Sequence, residues 1–260
     1  MNKKPIAFFD SGVGGITVFK KVKELLPYEN YIYFGDLKNL PYGEKTSEEL
    51  YKFVDNILKF FEKQDVKAVV MACNTTSATV YEKLKDNYGF KIYPIIQASA
   101  KEISQIQTKK VGVFATNATI KSGIYAKELK KYNPDLEVFE IATPEWVNIV
   151  ENQTQNLQEN INLIEKYVKE MLKNNPDKII LGCTHYPYLI DILAQFAPKE
   201  MFIDPSVYFA DAIKQGIYET GINDSKIEGF ENFFVSANPE DFKKAASVFY
   251  SLKDLPKLIV

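Results

Sequence analysis

The sequence is poor in the residue types that build disulfide staples and metal centres. Its 260 residues include two cysteines, Cys73 and Cys183, and one histidine, His185. A secreted disulfide framework needs more cysteines, and no C-x-x-C pair is present to begin a zinc site. A chain of this length also buries enough surface to fold without such staples. Each of these three residues is therefore informative as a candidate for chemistry.

Long apolar runs and an excess of positive charge are absent as well. No run approaches the roughly 18–20 residues of a membrane helix, and the apolar run at 6–9 is too short for a signal peptide. Lysine and arginine number 32 against 34 aspartates and glutamates, so the net charge of −2 offers no field for non-specific nucleic-acid binding. We therefore expect a cytoplasmic protein whose partners include neither a membrane nor a nucleic acid.

Short apolar runs alternate with longer amphipathic stretches along the chain. The apolar runs predict strands at 6–9, 31–34, 68–72, 91–96, 111–115, 137–141, 178–181, 201–203 and 233–235. The amphipathic stretches predict helices at 17–26, 47–63, 75–87, 120–132, 156–174, 187–196, 207–219 and 239–252. This alternation indicates βαβ units, so the predicted fold class is α/β with parallel sheets. Any domain boundary is expected in a short crossing near 97–110 and again near 204–208.

The chain nearly repeats itself. Residues 69–75 read VVMACNT and residues 179–185 read IILGCTH, so each segment is an apolar strand followed by a small residue, a cysteine and polar residues. The strands that begin near 6 and 111 match in the same way, and each runs into a polar turn, DSG at 10–12 and TNA at 116–118. Chance similarity of two ordinary strands is the alternative. The paired cysteines favour two similar halves.

Both cysteines fall at the carboxyl end of a strand and the start of a helix, where α/β proteins bind ligands. A helix N-terminus favours a thiolate, which would lower the pKa of a cysteine, and its free N–H groups would hold a carboxylate. There are three alternative roles for the cysteines. The buried thiols could simply pack, they could form a disulfide, or a metal could be held by Cys73, Cys183 and His185. Two thiols flanking one carbon suit stereochemical inversion best, because one can remove an α-hydrogen while the other returns a hydrogen to the opposite face without any cofactor.

Each thiol needs a neighbouring side chain that controls its protonation. His185 lies two residues after Cys183 and could relay its proton, while Asp10 ends the first strand and opens a glycine-rich turn. That turn, with Asp36 after the second strand, is also a partial dinucleotide fingerprint. Residue 17 is threonine where the fingerprint needs its third glycine, so this match is weak.

Six motifs resemble those of the bacterial glutamate racemases. They are DSGVGG at 10–15, GD at 35–36, PYG at 41–43, ACNT at 72–75, ATIKSG at 118–123 and GCTHYP at 182–187. The resemblance implies a cofactor-independent, metal-free racemase that interconverts L-glutamate and D-glutamate, supplies D-glutamate for peptidoglycan, and forms a homodimer. It also implies two pseudosymmetric α/β domains with the active site in the cleft between them: residues 1–97 with the returning segment 208–260, and residues 98–207.

The resemblance assigns roles by motif. Cys73 and Cys183 are implied to be the two proton donors and acceptors, with Asp10 and His185 as their assistants. Glu151 resembles a glutamate that supports the histidine, although an exposed charge at a helix end is the alternative. The implied substrate contacts are Asp10, Ser11, Tyr42, Gly43, Asn74, Thr75, Thr184 and His185.

The chain departs from the family pattern in places. The family usually has Glu-Pro where this chain has Gln97-Ala98, and a small residue followed by arginine where it has LKNL at 37–40. Related aspartate racemases usually carry glutamate where His185 stands, which favours glutamate as the substrate. The remaining alternatives are a racemase of aspartate or another amino acid, a nucleotide-dependent enzyme using the glycine turn, and a non-catalytic amino-acid-binding module.

Overall fold

The computed structural model describes residues 2–222 and 227–259. The strands are β1 (Ile6–Asp10), β2 (Tyr31–Gly35), β3 (Ala68–Met71), β4 (Lys91–Pro94), β5 (Lys110–Ala115), β6 (Glu137–Ala142), β7 (Lys178–Gly182), β8 (Phe202–Ile203), β9 (Glu231–Val235) and β10 (Lys257–Leu258). The α-helices are α1 (Ile16–Leu25), α2 (Ser47–Lys63), α3 (Asn74–Thr79), α4 (Tyr81–Leu84), α5 (Ile95–Ser104), α6 (Asn117–Ser122), α7 (Ile124–Tyr132), α8 (Glu145–Glu151), α9 (Gln158–Leu172), α10 (Ile190–Leu193), α11 (Pro205–Thr220) and α12 (Pro239–Ala246). Short 3₁₀ turns occupy Leu37–Asn39, Tyr42–Glu44, Tyr186–Leu189 and Lys199–Met201.

The strands form two sheets, and every strand pairing in the described residues is parallel. One sheet has the order β10-β9-β2-β1-β3-β4 and the other the order β6-β5-β7-β8. The order β2-β1-β3-β4 in the first sheet corresponds strand for strand to β6-β5-β7-β8 in the second. The predicted α/β class is therefore confirmed, and the two cysteine motifs follow equivalent strands, β3 and β7.

Three apolar clusters pack against the two sheets. Alternate residues of β1 face opposite ways: Ile6 and Phe8 join a large cluster that also contains residues of β5, α1, α5 and α11. Ala7 and Phe9 join a second cluster, which lies against α2. A third cluster packs α8 and α9 against β7. The first cluster draws residues from both sheets, so it joins the two halves of the chain behind the strand ends.

Two predicted helices are each divided in the structure. The helix predicted at 75–87 breaks at Val80, where φ is −126° and ψ is −12°. The Thr76 and Thr79 hydroxyls donate to backbone carbonyls within this short helix, and such bonds compete with regular helix geometry. The helix predicted at 120–132 breaks at Gly123, which adopts the left-handed conformation with φ of 64°.

The strand predicted at 91–96 ends earlier, because Ile95 already begins α5. Ile95, Ile96, Ala100 and Ile103 are buried at helical spacing, so the apolar pair at 95–96 belongs to a helix and not to a strand. The stretch 97–110, where a crossing with a domain boundary was expected, therefore begins inside helix α5. Gln97 exchanges hydrogen bonds with Ser77, and this departure from the family pattern joins α5 to α3.

Other differences are local. The helix predicted at 187–196 opens with a 3₁₀ turn, the helix predicted at 239–252 ends at Ala246, and α8 and β10 were not predicted. None of the described helices is both long and apolar enough to cross a bilayer.

Candidate active site

The residues predicted to do chemistry gather where strands end. Asp10 is the last residue of β1, Cys73 follows β3 as the N-cap of α3, and Cys183 comes directly after β7. All three are closed off from solvent, with exposed fractions of 0% for Asp10, 4% for Cys73 and 7% for Cys183. Both thiols are free of disulfides.

Side-chain contacts join the carboxyl edges of the two sheets. Thr184 donates its hydroxyl to Asp10 Oδ2 at 3.0 Å, and the Val13 N–H donates to Glu151 Oε1 at 3.3 Å. The hydroxyls of Thr75 and Thr116 are 2.9 Å apart. The turns that carry the two cysteines therefore lie at a junction where residues of both halves are in contact.

The glycine-rich turn at 10–15 allows this close approach. A Cβ added to Gly14 would lie 2.5 Å from Thr184 Oγ1, and one added to Gly12 would collide with the Glu151 carboxylate. Neither glycine has a positive φ, since the only described glycines with positive φ are Gly123 and Gly221. Glycine is needed at these two positions of the turn because the opposite half packs directly against them.

A relay of two side chains, His185 and Glu151, lies beside Cys183. Its Sγ lies 3.5 Å from His185 Nδ1, and His185 Nε2 lies 2.5 Å from Glu151 Oε1. Burial lowers the pKa of His185, but its hydrogen bonds to Cys183 and Glu151 outweigh burial and hold that pKa well above the ordinary range. Burial acts to raise the pKa of Glu151, yet the bonds from His185 and from the Val13 N–H bring it below its usual value. His185 and Glu151 therefore form an ion pair that places a proton next to the Cys183 sulfur.

Cys73 has a different environment. Burial and the negative charge of Asp10 raise the pKa of its thiol to about 12, although the Thr76 backbone and hydroxyl act in the opposite direction. The expectation that a helix N-terminus lowers the pKa of this cysteine is therefore wrong here. Helix α3 has six residues, and its field does not offset the loss of solvent and the nearby carboxylate. Cys183 is among the groups that raise this pKa, so the two sulfurs are electrostatic neighbours.

Asp10 is held in place from both sides. Burial raises its pKa, while His185, the Gly12 N–H and the Thr184 hydroxyl act to lower it. The Gly12 N–H donates to Oδ1 at 3.0 Å, and Thr184 occupies Oδ2. Ser11, 5% exposed, is buried beside it.

The remaining predicted substrate contacts differ in whether their polar groups already have partners. Gly43 packs so tightly on Thr116 that an added Cβ would lie 2.7 Å from the Thr116 Cβ. The Tyr42 hydroxyl donates to Asp36 Oδ2 at 2.5 Å, so this hydroxyl is already engaged. Asn74 is 2% exposed, and its Nδ2 has no hydrogen-bond partner within the described chain. The Asn74 amide nitrogen is therefore available to donate to a ligand.

Two residues of the candidate site were not identified from the sequence as site residues. The Thr116 hydroxyl contacts the Thr75 hydroxyl, and the Tyr125 hydroxyl donates to Asn74 Oδ1 at 2.6 Å. The internal repeat could have indicated Thr116, because the turn at 116–118 matches the turn that begins at Asp10. No local signal marks Tyr125. A surface cleft of about 570 Å³ borders the site at Gly43 and Asn117.

No three His, Cys, Asp or Glu side chains in residues 2–222 and 227–259 are grouped so as to hold a metal ion. The metal alternative for Cys73, Cys183 and His185 therefore has no support from the geometry.

Comparison with known proteins agrees over almost the whole chain. A family model described as Asp/Glu/Hydantoin racemase matches residues 14–212. A protein named glutamate racemase from Thermoanaerobacter pseudethanolicus is 37% identical over 255 residues, which cover 97% of this chain and 96% of the relative.

Two solved structures have the same fold. The glutamate racemase from Francisella tularensis in complex with D-glutamate has a TM-score of 0.91 and 30% identity, covering 100% of this chain and 98% of that one. The RacE1 isoform from Bacillus anthracis has a TM-score of 0.91 and 28% identity, covering 99% and 97%. The resemblance in the sequence motifs is confirmed: the chain is an isomerase that belongs to the Asp/Glu/hydantoin racemase family.

Proposed function

We propose that this protein interconverts L-glutamate and D-glutamate by proton exchange between two thiols, without a cofactor. The observation that carries the proposal is the arrangement of Cys73 and Cys183 at equivalent strand ends of the two halves, with the Asp10 charge acting on Cys73 and His185 in contact with Cys183. The names of relatives that span nearly its full length, and the D-glutamate bound in the Francisella tularensis structure, support glutamate as the substrate.

The reaction needs one thiolate and one thiol at the same time. In one direction the Cys183 thiolate takes the α-hydrogen as a proton, the electron pair stays on the α-carbon and its carboxylate, and the Cys73 thiol delivers a proton to the other face. The raised pKa of Cys73 keeps that thiol protonated and ready to donate. The other direction starts from the state that the first one leaves, with the Cys73 thiolate as the base and the Cys183 thiol as the acid. His185, held by Glu151, lies beside Cys183 and balances the charge of its thiolate in the first direction.

The α-hydrogen of an amino acid is weakly acidic, so the pocket must stabilise the carbanion. Asp10, Ser11, Thr184 and His185 are proposed to contact the substrate from one side. Asn74, Thr75, Tyr42 and Gly43 are proposed for the other side. Because the Tyr42 hydroxyl is engaged by Asp36, the contribution of the 3₁₀ turn Tyr42–Glu44 would come from backbone N–H groups, which are unpaired at the start of such a turn.

The test is racemisation in heavy water. Incubation with L-glutamate should abolish its circular dichroism and place deuterium at Cα, as read by proton NMR. Saturable binding without deuterium would mean a binding module, and turnover of aspartate in preference to glutamate would reassign the substrate.

The variants Cys73→Ala and Cys183→Ala test the two thiols. Each should abolish racemisation of both enantiomers, because each direction needs one sulfur as base and the other as acid. Thermal unfolding should show both variants folded. Near-normal turnover in either variant would contradict the two-thiol mechanism.

We also propose the wider setting that the family resemblance implies. The two-sheet architecture supports domains of residues 1–97 with 208–260 and of residues 98–207. Two buried, unpaired thiols fit a reducing cytoplasm. Homodimer formation can be measured by sedimentation, and a role in peptidoglycan synthesis by rescue of a bacterium that requires D-glutamate for growth.

A further inference from the structure

One tyrosine contacts both cysteine turns. Tyr125 on α7 is fully buried, and its hydroxyl donates to Asn74 Oδ1 at 2.6 Å, next to Cys73. Its ring lies against Gly182, the residue before Cys183, since a Cβ added there would be 2.9 Å from Tyr125 Cε2. Glycine at 182 therefore leaves the space that this ring occupies.

The amide that Tyr125 contacts is only half satisfied. Asn74 Oδ1 accepts the tyrosine hydroxyl, whereas Asn74 Nδ2 is buried and has no partner among the described residues. Leaving a buried donor unpaired is costly, so such a group is usually completed by a ligand or an ordered water. An amide N–H₂ beside the reacting centre suits an acceptor such as a substrate carboxylate.

The tyrosine hydroxyl also decides which end of the amide is free. If the amide of Asn74 were flipped, Nδ2 would donate to the hydroxyl oxygen, and both the hydroxyl proton and Oδ1 would lack partners. In the observed orientation only Nδ2 lacks one. A tyrosine at this position therefore presents a donor, and not an acceptor, for a ligand.

We propose that Tyr125 is a positioning residue of this racemase. It orients the Asn74 amide so that Nδ2 donates to a carboxylate of the bound amino acid, and its ring sets the spacing of the two cysteine turns. This inference rests on the proposed function, because it takes the amino-acid substrate as the ligand.

The variant Tyr125→Phe keeps the ring and removes the hydroxyl. We expect kcat/KM for glutamate to fall about tenfold in both directions, because the amide can then turn its oxygen towards the substrate. The matched control is Tyr31→Phe, which removes an equally buried hydroxyl that donates to the Leu26 carbonyl at 2.6 Å. That variant should stay within twofold of wild type. All assays run well below the unfolding temperature of each variant.

A double-mutant cycle separates positioning from general loss of packing. If Tyr125 acts through Asn74, Tyr125→Phe should have less than a twofold effect in an Asn74→Ala background. A full tenfold loss in that background would overturn the proposal. So would wild-type activity of Tyr125→Phe.

Asn74→Asp gives an independent readout that does not depend on the folding of the tyrosine variant. Aspartate still accepts the Tyr125 hydroxyl but has no N–H₂, so its loss of kcat/KM should equal or exceed that of Asn74→Ala. Activity close to wild type would overturn the proposal. Failure of wild type itself to racemise glutamate would instead overturn the proposed function.

Discussion

Cys73 and His185 are both buried and both interact with Asp10, and the pKa values of the two side chains respond to burial differently. Around Cys73 the lost hydration and the Asp10 charge both raise the pKa, so the protonated thiol is favoured. Around His185 two hydrogen-bonded partners outweigh burial and favour the charged imidazole. The protonation state of each side chain is thus set by its immediate neighbours and not by burial alone.

The raised pKa of Cys73 predicts a loss of stability in alkali. Folding favours the protonated thiol, so its contribution is complete below the ordinary pKa of 9.0 and is lost as the pH rises towards about 12. Between pH 8 and pH 10 the unfolding free energy of wild type should fall by about 1 kcal/mol more than that of Cys73→Ala. Urea unfolding of both proteins at the two pH values measures this difference, and parallel declines would contradict it.

The bounds of helix α2 follow from its local sequence. The Thr46 hydroxyl accepts the Glu49 N–H at 3.2 Å, and the Glu49 carboxylate accepts the Thr46 N–H at 2.9 Å. This capping box and the buried stripe of Leu50, Val54 and Leu58 are local patterns, and the helix predicted at 47–63 has the observed bounds. Helix α5 differs, because the apolar pair at 95–96 suits a strand and a helix equally well.

Removal of the cap should weaken the fold without affecting chemistry. Thr46→Ala should lower the unfolding free energy by about 1 kcal/mol, since the first turn loses an acceptor for the Glu49 N–H. Thr46→Ser keeps a hydroxyl and serves as the control, with a much smaller loss. Denaturant unfolding compares the three proteins, and racemisation by Thr46→Ala should match wild type. Equal stability of the alanine and serine variants would contradict this role of the cap.

At the scale of the whole molecule, the candidate active site lies at the junction between two similar halves. Three hydrogen bonds cross this junction: Thr184 to Asp10, Val13 to Glu151, and Thr75 with Thr116. The halves approach most closely at the glycine-rich turn. Activity should therefore depend on packing at this junction as much as on the reactive groups.

Gly14→Ala tests that dependence. Its added Cβ would lie 2.8 Å from the backbone carbon of Thr184, so the two turns must separate. We expect kcat/KM to fall at least about tenfold, in line with the cost of overpacking a tight contact. Gly89→Ala is the matched control, because a Cβ there meets no atom within 4 Å. Equal activity of the two variants would show that the junction tolerates the extra atom.

The sequence alone predicted the α/β class, the internal repeat and the placement of Asp10, Cys73 and Cys183 at strand ends. These features follow from apolar periodicity and from the order of residues along the chain, and both are local. The family resemblance added Glu151 beside the histidine, and the structure places its carboxylate against His185 Nε2.

Tertiary structure decided what surrounds each of these groups. Two contacts join residues from distant parts of the chain: Tyr125 with Asn74, and Thr75 with Thr116. The raised pKa of Cys73 likewise depends on a distant residue, Asp10. Hydrogen bonding and desolvation depend on which atoms meet in space, and local periodicity carries no information about that. For this protein, sequence determined where the reactive side chains lie on the sheets, and packing of the two halves decided their protonation and orientation.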